Sequence, residues 1–204
     1  MVKFIFDLDG TVTSQETLPL IAAHFGVEEE IAELTKATIA GNVPFIESFI
    51  KRVHILGRLP VDDVAELLAG VQVYQKVVDF IHAHEENCII ATGNLDSWVE
   101  KLAQRVCCRY YCSSASLENN RVKKLSSILK KDKVVTYYKA QGAKTVFIGD
   151  GNNDIEAMRL ADVSIATGLT HWPASGVLSI ADYLVFNEDA LCRQLNQLLS
   201  VARA

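Results

Sequence analysis

Apolar and polar positions change rhythm along the chain. Residues 2–6, Val-Lys-Phe-Ile-Phe, form a short β-branched and aromatic run, predicting a strand covered on both sides of a parallel sheet. From Glu16 to about Ala69 the apolar residues recur at helical spacing: Leu18, Ile21, Ala22 and Phe25, then Ile31, Leu34 and Ile39, then Phe45, Phe49 and Val53, then Val64, Leu67 and Leu68. Breaks at Gly26, at Gly41-Asn42 and over 57–60 divide this stretch into about four helices. After a helix over 74–84, strands and helices alternate: strands at 88–92, 109–112, 145–148, 163–166 and 183–186, helices at 96–106, 153–160 and 188–201. The pattern predicts an α/β fold, a Rossmann-like parallel sheet with an all-helical insertion after its first strand.

Composition narrows the class. With 204 residues, 50% hydrophobic and 22% charged, the chain can bury one substantial core and has too few solvating residues for extensive disorder. A net charge of -5 argues against a nucleic-acid surface, leaving Lys123-Lys124 and Lys130-Lys131 as solvated edges. Five irregularly spaced cysteines fit a reduced compartment, with Cys107, Cys108 and Cys112 packing as small hydrophobes. The first apolar run is a strand's length and is followed at once by Asp7 and Asp9, so neither a signal peptide nor a membrane span is expected, and the location expected is cytoplasmic.

Three strands are each followed by polar residues: Asp7 and Asp9, then Thr92-Gly93-Asn94, then Gly149-Asp150-Gly151-Asn152-Asn153-Asp154. Carboxyl ends of neighbouring parallel strands converge on one crevice. Four carboxylates gathered there require a cation, and hard oxygen donors suit Mg²⁺.

These motifs, in this order, resemble the haloacid dehalogenase superfamily of phosphatases. The resemblance implies Asp7 as nucleophile, Asp9 as general acid and then base, and Thr92 as a hydroxyl donor to phosphate. It implies Mg²⁺ on Asp7, the carbonyl of Asp9 and Asp150, with Asp154 as an outer carboxylate. It also requires a lysine; of Lys130, Lys131 and Lys133, the choice is Lys133, at the expected helix start, with Lys131 second. The insertion becomes a cap, residues 14–74, over a core of 1–13 and 75–204.

The stretches around Thr13-Ser14-Gln15-Glu16-Thr17 and over 41–53 further resemble the phosphoserine phosphatases. That resemblance places Glu16 at a substrate ammonium, Arg52 at its carboxylate and Phe45 beside them, with Gly93, Asn94 and Asn153 completing the substrate-facing set. The implied partner is a small phosphomonoester, phosphoserine or a similar amino-acid phosphate; a phosphatase for another metabolite, a phosphotransferase and a non-catalytic phosphate-binding scaffold are the alternatives. Gly10 and Asn94 depart from that family's usual residues, and residues 168–173, with His171-Trp172, match none of its motifs. This loop either lines the pocket or packs on the core.

Overall fold

The computed structural model describes residues 1–39, 43–106 and 109–203, apart from the side chains at 35, 38, 39, 45, 202 and 203. The expected break at Gly41-Asn42 and the packing of Cys107 and Cys108 lie outside the described residues. The strands are β1 (Val2–Phe6), β2 (Cys88–Leu95), β3 (Arg109–Glu118), β4 (Arg121–Ser127), β5 (Lys144–Gly149), β6 (Val163–Thr167) and β7 (Tyr183–Val185). The helices are α1 (Thr17–Phe25), α2 (Glu28–Ile39), α3 (Phe45–Leu56), α4 (Val61–Ala69), α5 (Gln75–Ala83), α6 (Asp96–Val106), α7 (Lys131–Ala140), α8 (Ile155–Leu160), α9 (Ser175–Leu178) and α10 (Glu188–Arg203).

One sheet runs in the order β4-β3-β2-β1-β5-β6-β7. All pairings are parallel except β3 with β4. Side-chain alternation divides the core into two layers. Phe4, Phe6, Ile90, Val146 and Ile148 face one layer with residues of α5, α6 and α10, while Ile5, Ile89, Ala91 and Phe147 face the other with residues of α7 and α8. The fold is therefore the expected α/β sheet with a helical cap after β1. Buried residues of α1 to α4, among them Ile21, Phe49, Val53 and Leu68, join the first layer's cluster. The two connections to these helices run side by side, bridged at Thr13 and Val73, with Tyr74 N–H donating to Val12 C=O at 2.9 Å.

Several elements differ from expectation. β2 continues through Gly93 and Asn94 to Leu95, with an irregular register against β3 after Ala91. β3 runs on to Glu118 and returns as β4, which has no apolar alternation because it is a largely exposed, lysine-bearing edge strand. Asn119 and Asn120 make the tight turn, with φ of 50° and 59°, the backbone that two-residue hairpin loops require. The sequence pattern places only a short strand at 109–112, and the hairpin extends well beyond it. The helix expected from residue 153 opens instead with a 3₁₀ turn over Asn152–Asp154, before α8.

Candidate active site

Four strand ends, those of β1, β2, β5 and β6, open on one cavity of about 540 Å³, roofed by α1 and α3. Asp7 follows β1 directly, and its N–H still donates to Ile148 C=O in β5 at 2.8 Å, so strand register aims its side chain. Its Oδ1 accepts the Leu8 N–H at 2.7 Å and lies 2.6 Å from Lys131 Nζ. Lys131 Nζ also donates to Asp154 Oδ1 at 2.6 Å, and all three side chains are buried. The other oxygen of Asp154 accepts the N–H groups of Asp150 and Gly151 at 3.1 and 3.0 Å, which fixes the loop after β5. Gly149 is required there, since a Cβ would lie 2.5 Å from Asp154 Oδ2.

Burial first, then the Asp154 carboxylate, push the Asp7 carboxyl well above the usual range, against the pull of Lys131. Burial disfavours the Lys131 ammonium, yet Asp154 and Asp7 outweigh it and hold it charged.

Asp9 has different surroundings. Its Oδ1 accepts the Thr17 N–H at 3.0 Å and the Thr17 hydroxyl, and its Oδ2 accepts Asn94 Nδ2 at 2.9 Å and, weakly, the Thr92 hydroxyl at 3.4 Å. Burial, then the nearby Glu16 carboxylate, push the Asp9 carboxyl up to about 6 despite the Thr17 hydrogen bonds. The extension of β2 past Thr92 is what delivers Asn94 to Asp9, and its Nδ2 also reaches Thr17 Oγ1 at 2.7 Å.

Asp7, Asp150 and Asp154 place carboxylate oxygens within 4.8 Å of one another. Burial also raises the Asp150 carboxyl, against a hydrogen bond from His171. Two acids pushed up in one cluster, with Lys131 the buried cation upon it, mark a deficit of positive charge, and three hard oxygen donors fit a divalent cation.

A family model for haloacid dehalogenase-like hydrolases matches residues 4–162. The chain belongs to that family. Two relatives are the phosphoserine phosphatases of Lactococcus lactis and Methanocaldococcus jannaschii, each 26% identical over 175 residues, or 79% of this chain, and covering 81% and 83% of their own lengths. A solved phospho-aspartyl intermediate analogue of phosphoserine phosphatase shares the fold, with a TM-score of 0.75 at 23% identity, covering 91% of this chain and 94% of that one.

In this haloacid dehalogenase-like hydrolase the lysine beside the acids is Lys131, and the choice of Lys133 is corrected. α7 begins at Lys131, two residues before the expected start, so Lys131 is buried against Asp7 while Lys133 is exposed. Glu16, Arg52, Gly93, Asn94 and Asn153 all line the cavity. The Phe45 side chain lies outside the described residues; Phe49, one turn further along α3, lines the cavity. Thr17 and His171 were not foreseen as partners of these acids. His171 Nε2 lies 2.9 Å from Glu16 Oε1 and 3.0 Å from Asp150 Oδ2. Hydrogen bonds to Asp150 and Glu16 push His171 up to about 11. A lone histidine in an irregular loop carries no periodic signal that would have placed it there.

Proposed function

We propose that this hydrolase is a Mg²⁺-dependent phosphomonoesterase that works through an aspartyl phosphate on Asp7 and releases a small carboxylate-bearing alcohol, with phosphoserine or a similar ester as substrate. The observation that carries the reading is the different placement of two carboxyls two residues apart: Asp7 is bound to the Lys131 ammonium and clustered with Asp150 and Asp154, while Asp9 faces Thr17, Thr92 and Asn94. One is placed to attack and the other to carry a proton.

Asp7 Oδ forms a bond to phosphorus as the ester P–O bond breaks, and Asp9 delivers its proton to the departing alkoxide. Asp9, now a carboxylate, takes a proton from the water that attacks the acyl phosphate, which releases inorganic phosphate and restores both groups. Lys131 offsets the charge gathering on the transferring group, and the Thr92 hydroxyl can donate to it. Asp7, Asp150 and Asp154, with the Asp9 carbonyl, would hold Mg²⁺, which when bound neutralises phosphoryl charge. Arg52, on the cavity wall, can grip a carboxylate in a bidentate fork.

The paired connections at Thr13 and Val73 support residues 14–74 as the cap unit that closes over the site. The free thiols of Cys88, Cys112 and Cys192 support a reducing, cytoplasmic setting. No helix among the described residues is long and apolar enough to cross a membrane.

Phosphate release from a panel of phosphomonoesters, with Mg²⁺ and with a chelator, tests the activity. Acid-quenched intact-mass spectrometry tests the covalent step. A phosphoryl adduct on the wild type that persists in Asp7→Asn would remove Asp7 from its assigned role.

A further inference from the structure

The alcohol end of the cavity is shaped by residues 168–173, which belong to none of the phosphatase motifs. This loop is anchored independently of its histidine. Thr170 Oγ1 donates to the Gly10 carbonyl at 3.0 Å and meets the Tyr74 hydroxyl at 3.0 Å. Ala174 N–H donates to the Asp150 carbonyl at 2.8 Å, and the Trp172 ring lies 5.1 Å from that of Phe186. His171 is thereby presented to Glu16, its Nε2 2.9 Å from Oε1, while its Nδ1 faces the Trp172 carbonyl at 3.1 Å.

Gly10 forms the floor of this contact. With φ at +69°, it adopts a backbone that suits glycine, and a Cβ there would lie 3.1 Å from Glu16 Oε1 and 3.5 Å from His171 Nε2. A glycine, an anchored loop and a histidine therefore converge on one carboxylate. Arg52 lines the same space; its Nε is buried without a hydrogen-bond partner, and Glu16 acts on its guanidinium through space.

The alcohol end thus offers a cation with room for an anion, and an anion that is already engaged. A carboxylate entering there meets Arg52. An ammonium would have to displace the imidazole from Glu16, and would do so in the space that the Arg52 guanidinium also lines. We infer that the released alcohol is a hydroxy acid, carrying a carboxylate for Arg52 and no ammonium, and that His171 excludes the amino acid by holding Glu16. This inference rests on the phosphomonoesterase reading above and narrows its substrate.

The test compares O-phospho-L-serine with both enantiomers of 3-phosphoglycerate, which differ from it in bearing hydroxyl in place of ammonium, with para-nitrophenyl phosphate as a class control. The wild type is expected to favour the better 3-phosphoglycerate enantiomer in kcat/KM by about tenfold or more, the scale of one charge-assisted hydrogen bond. His171 is exposed, so its replacement leaves the fold intact. Because His171 also touches Asp150, His171→Ala lowers both rates, and the ratio is the readout. That ratio should fall about tenfold or invert, chiefly through a lower KM for phosphoserine. His171→Gln, whose amide can still donate to Glu16, should keep the wild-type ratio. A wild-type preference for phosphoserine, a ratio unmoved in His171→Ala, or turnover of the aryl phosphate with neither acid would overturn the inference and leave the phosphatase standing. Failure to hydrolyse any of these esters would overturn the phosphatase reading itself.

Discussion

The two ends of the cavity are built on different principles. At the phosphate end, Asp7, Lys131 and Asp154 are buried, and their oxygens and ammonium are matched at 2.6 to 3.1 Å. Their positions follow from β1 and β5 lying in register, Phe6 beside Ile148, with α7 packed behind. At the alcohol end, Glu16 and His171 are each more than 40% exposed, and they come from a helix N-terminus and an irregular loop. Charge transfer chemistry needs a preorganised environment, which the strand ends supply. Recognition of one alcohol among many can be rebuilt by changing a loop and leaving the sheet alone.

That division predicts a gradient of mutational effects. The largest belongs to the proposed nucleophile: Asp7→Asn should lower kcat by about 10⁴-fold or more, because no other group would replace the attacking oxygen. Its melting temperature should hold or rise, since the change removes a buried charge that burial and Asp154 disfavour. A variant that melts early and loses activity in proportion would instead mean that the phosphate end is held together by Asp7 itself.

Next comes Lys131→Met, expected to lower kcat/KM by about 10² to 10³-fold, the scale for losing one preorganised charge donor. It should also cost about 3–5 kcal/mol of stability, because Asp7 and Asp154 are left buried and uncompensated. Lys133→Ala, two residues away and exposed, should change stability by no more than about 0.5 kcal/mol. Steady-state kinetics and denaturant melts of the pair decide between the lysines, and equal losses in both would undo the assignment of Lys131.

At the alcohol end, Arg52→Ala should raise KM for a carboxylate-bearing ester by about 10- to 150-fold, the worth of a charge-assisted hydrogen bond. kcat should move far less, as expected of a contact made equally in ground and transition states. An equal fall in kcat and kcat/KM would mean that the two ends are coupled, and the division between them would fail.

The same division governs what the sequence discloses. The β1, β2 and β5 runs are apolar on both faces, and polar residues begin where they end, so Asp7, Thr92 and Asp150 could be located from pattern alone. Glu16, at the N-cap of α1, and Arg52, in α3, were picked out only by the resemblance of their flanking stretches to the phosphoserine phosphatases, since helical periodicity marks apolar faces and says nothing of which charged residue meets a ligand. Lys131 was displaced by two residues because helix starts are set by capping geometry, and Lys130 at that cap makes no side-chain capping bond. β4 was lost because an edge strand needs no apolar alternation, and β2 was cut short because Thr-Gly-Asn reads as a turn. Contacts such as His171 with Glu16 join residues 155 positions apart through a loop, and only tertiary structure brings them together.

The smallest effect sharpens the comparison from behind the sheet, away from both ends of the cavity. Asp162 precedes β6 and ties it to the start of β5: its Oδ2 accepts the N–H and hydroxyl of Thr145 at 2.8 and 3.0 Å, and its Oδ1 accepts Lys139 Nζ at 2.8 Å. Burial pushes this carboxyl up, but the Lys139 and Thr145 hydrogen bonds outweigh it and hold it below the usual carboxylate range. Because the folded pKa is the lower one, the stabilisation is present in full above the unfolded value of about 4 and is lost as pH falls through the folded value. Asp162→Ala should therefore cost about 1–2 kcal/mol near neutral pH, with the gap from wild type closing in acid as that charge is titrated. kcat and KM at room temperature should stay as they are, because β5 remains paired to β1 over Val146 to Ile148. Urea melts across pH, paired with kinetics, read both quantities. A change in kcat without a change in stability would show that the phosphate end takes its geometry from the far end of β5 as well as from its own register with β1.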